Sequence, residues 1–377
     1  MKKTITILFV TLALISCQKK QMGIASNNGF DVDKFVLNIK NTYGPKTTGF
    51  SYSIAVGDNI IRKGAMGKSR TGTDGELDYT SETRQEIFSV TKFMTAVAVF
   101  KVLKAKNKTY DEPIKPYLPA SWTVHSSYNS LTFRQLLSHN SGFVMNDRGY
   151  DSLKLMITKQ QGNTARNYNN ANFALCRILL PYLYHGKAHF QDADQKGNLE
   201  EATAIEFRKL MRELVLQPSG LTYWNKVDFK DWTHEAQVVD PFPRYYQWSN
   251  LGLGSVANSD DVLIAGSRGL VLSTYEVAQV LIAFENKLLV PENIMSMMKT
   301  AGCGFDGVGG FDGKKGKYYW KNGAGPGGRG PGGEAIIMIF PNSVIVSINA
   351  NSNLNDDDQL VALASNIAKA YDDSWSD

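Results

Sequence analysis

Apolar and polar positions along the chain fall into stretches of different period. Phe50 to Val56 alternates, Gly57-Asp58-Asn59 interrupts it with turn-forming residues, and Ile60-Ile61-Arg62-Lys63-Gly64 resumes, which predicts a β-hairpin. A first helix is expected ahead of it, around Phe30 to Asn41, and the polar residues from Lys68 to Asp78 predict a loop. From Phe93 to Phe100 the only polar residue is Thr95, so this helix is apolar on all sides and belongs in the interior. Packing it against a sheet that begins before it and resumes much later predicts an α+β layer arrangement, an antiparallel sheet flanked by helices.

Thr109 to Pro119 is a turn-rich connector. In the next element Thr132 is a helix N-cap, Phe133, Leu136 and Leu137 form an apolar stripe, and Gly142 is a stop. Arg166 to Asn170 is a polar turn that runs directly into the apolar helix Ala171 to Leu179. His185 to about Glu200 is polar and predicts an exposed insertion, and Glu201 to Leu216 is helical. Between Thr222 and Trp248 the chain is dense in aromatics, including Tyr223, Trp224, Phe229, Trp232, Phe242, Tyr245, Tyr246 and Trp248. They suit either the wall of a ligand cleft or a cover pinned to the core. Ser273 or Thr274 caps a helix from Tyr275 to Glu285, and Pro291 to Met298 is a short helix. Three strands follow, Lys317 to Lys321, Glu334 to Phe340 and Val344 to Ile348, and an amphipathic helix from Leu360 to Tyr371 closes the chain. The glycine run Gly323 to Gly333 leads into a strand and not into a helix opening with Lys-Ser/Thr, which excludes a phosphate-cradling loop.

The 377 residues suffice for one large domain or two interlocked ones, and 43% hydrophobic with 20% charged residues is a globular composition. A net charge of +5 without a dense Lys/Arg run gives no support for a nucleic-acid partner. Met1-Lys2-Lys3 followed by an apolar run from Ile5 to Ile15 reads as an export signal over residues 1–16, too short to remain as a membrane-spanning helix. Leu14-Ile15-Ser16-Cys17 resembles the bacterial lipobox, in which the cysteine becomes the lipidated first residue; the alternative is an ordinary cleaved signal. On the lipobox reading residues 17–28 form a tether, and the protein sits at the bacterial cell envelope, periplasmic or outer-membrane-facing. Of the other cysteines, Cys176 lies in an apolar run and Cys303 among glycines; a bridge between them is allowed but not required. The five histidines, His125, His139, His185, His189 and His234, include one close pair, so neither a metal site nor a cofactor is expected. Oligomeric state is not legible.

The chemistry concentrates at Ser89-Val90-Thr91-Lys92. A hydroxyl and an amine three residues apart on a helix share one face. Burial and the helix N-terminus both disfavour an ammonium, so Lys92 is a candidate neutral base that takes the proton of Ser89. The alternative is that Ser89 is an N-cap and Lys92 is solvated, and a lone Ser-x-x-Lys arises by chance about once in a chain of this size. Tyr168 and Asn170 supply companions, a phenol that can relay protons and an amide that can bond both Lys92 and a substrate carbonyl. On the bland reading they belong to a cap-rich turn. His139, at a helix C-terminus, is expected to hold a turn through backbone carbonyls rather than to join a triad.

These pieces resemble the serine β-lactamase and penicillin-binding protein superfamily, in its class C β-lactamase, DD-peptidase and esterase branch. Four ordered stretches carry the resemblance: Ser89-Val90-Thr91-Lys92, Leu136-Leu137-Ser138-His139-Asn140-Ser141-Gly142, Tyr168-Asn169-Asn170, and Gly266 to Thr274. It implies an α/β domain built from both chain ends, residues 29–108 and 255–377, around a mainly helical insertion at 109–254, with the cleft between them. It further implies catalytic Ser89, Lys92 and Tyr168 and a small-molecule or peptide substrate, an ester or amide, β-lactam or D-Ala peptide. At the third motif, where the family has Lys-Thr-Gly or His-x-Gly, counting back from Pro341 gives Pro326-Gly327-Gly328, which lacks a basic side chain. On that alignment Gly328 and Arg329 line the substrate site with Asn170, and Arg329 supplies the second oxyanion N–H. Lys321-Asn322-Gly323 is the rival triplet five residues earlier. A missing base at this motif leaves room for an inactive surface protein that binds peptidoglycan or a partner.

Overall fold

The computed structural model describes residues 29–229, 242–247, 250–255, 265–325, 331–352 and 364–376. The strands among them are β1 (Gly49–Val56), β2 (Asn59–Arg70), β3 (Leu77–Asp78), β4 (Gln85–Glu86), β5 (Tyr245–Gln247), β6 (Asn250–Ser255), β7 (Val271–Leu272), β8 (Phe311–Gly313), β9 (Gly316–Gly325), β10 (Gly333–Ile339) and β11 (Val344–Ala350). Seven of them form one antiparallel sheet in the order β3-β2-β1-β11-β10-β9-β8. The segments before the Ser89 helix and after residue 310 therefore meet in one layer, with β1 hydrogen-bonded to β11 along its whole length.

Both faces of this sheet are covered. Phe50, Tyr52, Ile54, Ile336, Met338, Val346 and Ile348 pack beneath the helices Val32–Tyr43 and Ala364–Asp372. The opposite face, with Ala55, Ala335, Ile337 and Ile345, joins the main core, where Thr91–Ala105 and Thr274–Glu285 lie. The alternation in β1 is thus not a wet face and a dry one. Its polar members Ser51 and Ser53 are buried, and each hydroxyl lies 3.3 Å from the Thr274 hydroxyl.

Thr91–Ala105 is buried from Thr91 through Phe100, as its unbroken apolar character requires. The interior has little room for polar groups, and the three this helix brings are satisfied: Thr91 accepts the Leu270 N–H, Thr95 donates to the Gly266 carbonyl and Lys92 is saturated by partners at the cleft. Thr132 and Ser273 both close capping boxes, with Gln135 and Glu276 respectively.

Several expectations are corrected. Strand β2 runs on to Arg70 and pairs with β3, so residues 68–78 are not all loop; the pairing of Lys68 with Asp78 offsets the polar sequence. The stretch 185–200 is largely exposed, as expected, but it is not unstructured: it folds into the helical turns Lys187–Phe190 and Gln191–Lys196, and buried Phe190 stacks on Tyr182 at 4.8 Å. The helix after Thr132 ends at Leu137, short of Gly142, and His139 takes φ +63°. Cys176 and Cys303 are both buried and free. Cys17, Trp232 and Trp248 lie outside the described residues.

Candidate active site

Ser89 sits in a short 3-10 turn, Phe88–Val90, that feeds the buried helix. Phe88 holds φ +45°, a strained value for a side-chain-bearing residue. Its ring is braced by Tyr245 at 5.9 Å and by the Arg268 guanidinium at 5.7 Å. Arg268 is forked onto buried Glu86 at 2.7 and 2.6 Å, so the turn carrying Ser89 rests on a fixed ion pair.

One turn on, Lys92 Nζ lies 2.9 Å from Ser89 Oγ, 2.9 Å from Asn170 Oδ1 and 2.6 Å from the Ser267 carbonyl. The last two partners are carbonyl oxygens and can only accept. A neutral amine has two N–H bonds for them, which leaves its lone pair for the Ser89 hydroxyl. The electrostatics agree: burial first, then the positive Lys321, hold Lys92 well below the ordinary lysine range, with Asp306 opposing and Arg148 and Arg268 adding to the depression. On the other side of the hydroxyl, Tyr168 donates to Ser89 Oγ at 2.9 Å. Serine, amine, phenol and amide are therefore all brought together, and the solvated-lysine reading does not hold.

His139 is the prop under Tyr168. Its ring packs 4.6 Å from the Tyr168 ring and 5.1 Å from that of Phe173. Its Nδ1 accepts the Asn169 N–H at 3.2 Å and lies 3.1 Å from the Asn172 amide nitrogen, so it binds N–H groups and not the carbonyls expected. Burial, then the charges of Lys92, Arg166 and Lys321, push it down to about 2, so it stays neutral. Arg166 pins the surrounding loops by donating to the carbonyls of Ser138, Phe305 and Asp306 at 2.8, 2.8 and 3.2 Å.

The third wall of the cleft is the end of β9. A Cβ on Gly323 would lie 2.5 Å from the Ser89 nitrogen, so only glycine lets the strand pass this close. Lys321, Asn322, Gly323, Ala324 and Gly325 line a cleft of about 460 Å³ together with Phe88, Ser89, Arg148, Tyr168, Asn170, Arg268 and Asp306. The rival triplet Lys321-Asn322-Gly323 is thus the one that faces the serine, and the expectation of a third motif without a basic side chain is corrected: Lys321 Nζ stands 5.3 Å from the Tyr168 ring. The slot reached by counting from Pro341 fails because the β9 to β10 connection is longer than the count allowed. Gly328 and Arg329 fall outside the described residues. Asn322 N–H points away from β10, onto Asp306 at 2.9 Å, and the Trp320 carbonyl faces the same way. Strand alternation then turns the Ala324 N–H to that edge too, beside Ser89.

Asp306, Arg166 and the Glu86–Arg268 pair were not singled out from sequence. No short motif marks them, because their partners are distant in the chain. None of the described aromatics of 222–248 lines the cleft; Phe229, Phe242, Tyr245 and Tyr246 are buried, as a cover pinned to the core would be.

The profile of the family described as Beta-lactamase matches residues 43–369, nearly the whole described fold. The chain belongs to the Beta-lactamase family. Solved structures share its fold at low identity. FmtA from Staphylococcus aureus is 13% identical with a TM-score of 0.65, covering 92% of this chain and 91% of its own. The D-alanine carboxypeptidase AmpC from Burkholderia cenocepacia is 13% identical with a TM-score of 0.63, over 90% and 99%. D-amino acid amidase from Ochrobactrum anthropi, solved with L-phenylalanine, is 14% identical with a TM-score of 0.61, over 90% and 97%. No curated protein matches this member of the family by sequence.

Proposed function

We propose that the protein is an exported serine hydrolase, lipid-anchored through Cys17, that cleaves an ester or amide by way of an acyl-enzyme on Ser89. The observation that carries this reading is the placement of Ser89 Oγ 2.9 Å from Lys92 Nζ on one side and 2.9 Å from Tyr168 Oη on the other. Ser89 Oγ attacks the carbonyl carbon while its proton passes to Lys92. The tetrahedral oxyanion is held by the N–H groups of Ser89 and Ala324, and it collapses as Tyr168 gives its proton to the leaving group and takes the proton held by Lys92 in exchange, which restores both the neutral amine and the phenol. Water then repeats the sequence on the acyl-enzyme and frees the acid. Asn170 fixes the amine and leaves its NH₂ for the substrate.

The inactive-binder alternative drew on a third motif without a basic residue; the cleft carries Lys321, and the contacts of Ser89 with Lys92 and Tyr168 favour the hydrolase reading. A fluorophosphonate probe tests the proposal: labelling mapped to Ser89 and lost in Ser89→Ala supports it, and an unlabelled, folded wild type refutes it. A panel of short-chain esters, a β-lactam and a D-Ala-D-Ala peptide then ranks the acyl donors. Anchoring rests on Leu14-Ile15-Ser16-Cys17, and incorporation of labelled fatty acid that survives Cys17→Ala would refute it.

A further inference from the structure

Lys321 is a lysine at the wall of an open cleft, 2% exposed in its side chain, and such an ammonium ordinarily serves as a receptor for an incoming anion. Here the position is already taken. Asp306 Oδ1 accepts from Lys321 Nζ at 2.6 Å, Asp306 Oδ2 accepts the Asn322 N–H at 2.9 Å, and a second ammonium N–H goes to the Asn322 carbonyl at 2.7 Å. Asp306 is not a passing surface partner. Its own N–H donates to the Trp320 carbonyl at 3.0 Å, and Arg166 clamps its carbonyl and that of Phe305. Arg268 is likewise paired, with Glu86.

We propose that Asp306 is a specificity-determining residue, which neutralises Lys321 and thereby makes the cleft select acyl donors that are uncharged beside the scissile bond over donors that carry a carboxylate there. This rests on the reading of the cleft as an acyl-transfer site. A substrate carboxylate brought to Lys321 meets Asp306 at nearly the same distance, so attraction and repulsion cancel, and it loses hydration without compensation. A neutral ester or amide meets no such penalty. Asp306 acts through Lys321 and touches no reacting atom.

The test compares two activated esters of equal length in the full chain, the p-nitrophenyl half-ester of glutarate and its methyl ester. Wild type is expected to favour the methyl ester by ten-fold or more in kcat/KM. Asp306→Asn keeps an acceptor for the Asn322 N–H but frees the ammonium, and is expected to shift the ratio at least ten-fold toward the carboxylate. Asp306→Glu should retain the wild-type ratio, and adding Lys321→Met to Asp306→Asn should abolish the shift. Arg148 also lines the cleft and is common to all these variants, so it cancels from the shift in ratio between them, which is the quantity that decides. An equal fall for both esters in Asp306→Asn, or a wild type that already prefers the carboxylate, overturns the proposal. If no ester is turned over at all, it is the hydrolase reading that fails. The pair is then judged by binding of N-benzoylglycine and its neutral amide to Ser89→Ala with and without Asp306→Asn. Inversion of preference supports the proposal, whereas unchanged preference, or binding of neither compound, overturns it.

Discussion

Gly323 and Ser89 are in contact through their backbones: a Cβ on Gly323 would lie 2.5 Å from the Ser89 nitrogen, 2.8 Å from the Phe88 Cβ and 3.0 Å from the Ile87 carbonyl oxygen. Two of these three are backbone atoms of the turn that carries the nucleophile, so relief requires β9 to move. Gly323→Ala should therefore separate the Ser89 and Ala324 N–H groups and cost about 10²–10³ in kcat, the usual loss for one oxyanion donor. Steady-state hydrolysis of a p-nitrophenyl ester checks this, and an unaltered kcat contradicts the assigned oxyanion pair.

Tyr168 is 43% exposed, so little packing depends on its hydroxyl. Tyr168→Phe should leave the melting temperature near that of wild type while lowering kcat by about 10²–10⁴, the range for loss of a general acid/base. A variant that keeps full turnover would remove Tyr168 from the proton path.

On the proposed mechanism Lys92 acts as the neutral amine, so activity should rise as pH climbs through a Lys92 pKa set well below the ordinary 10.5 by burial and by Lys321. Lys321→Met removes a cation that lowers this pKa and leaves Asp306, which raises it. Both changes favour the ammonium, so the acid limb of the kcat/KM profile should move to higher pH. A limb that stays put or moves down would refute a lowering of the Lys92 pKa by Lys321.

His139 makes a statement about stability. Its pKa falls from 6.5 in the unfolded chain to about 2 in the folded one, so between those values the unfolded state binds a proton that the native state refuses. Its contribution is complete above pH 6.5 and is lost as pH falls toward the folded value, with a limiting slope of about 1.4 kcal/mol per pH unit. His139→Gln keeps a carbonyl acceptor for the Asn169 N–H without a titrating ring. Denaturant titrations at pH 7, 6 and 5 should show a flatter decline for this variant than for wild type, and parallel declines would refute the assignment.

Much of the site was legible because its spacing is local. Ser89 and Lys92 share a helical face by arithmetic, and the apolar run behind them made Lys92 a candidate for burial and a depressed pKa, beside the alternative of a solvated side chain that the structure removes. Tyr168 and Asn170 were found because a polar turn runs straight into an apolar helix. The capping residues Thr132 and Ser273 announced themselves for the same reason, since a cap bonds within its own turn.

What could not be read is of one kind. The choice between Lys321-Asn322-Gly323 and the triplet near Gly328 depends on how far β9 runs before β10 begins, and a glycine run carries no periodicity to mark that boundary. Nor does the alternation of β1 show that both its faces are covered, because the burial of Ser51 and Ser53 depends on the distant Thr274 hydroxyl that lies between them. The sequence by itself put a serine and a lysine on one helical face and made the helix behind them apolar throughout, since each follows from neighbours within a few residues. Only the tertiary structure decided that β9 passes against Ser89, that His139 supports Tyr168 and that Asp306 holds Lys321. These contacts join segments that are distant along the chain, and backbone and side-chain geometry, not local propensity, sets which of them meet.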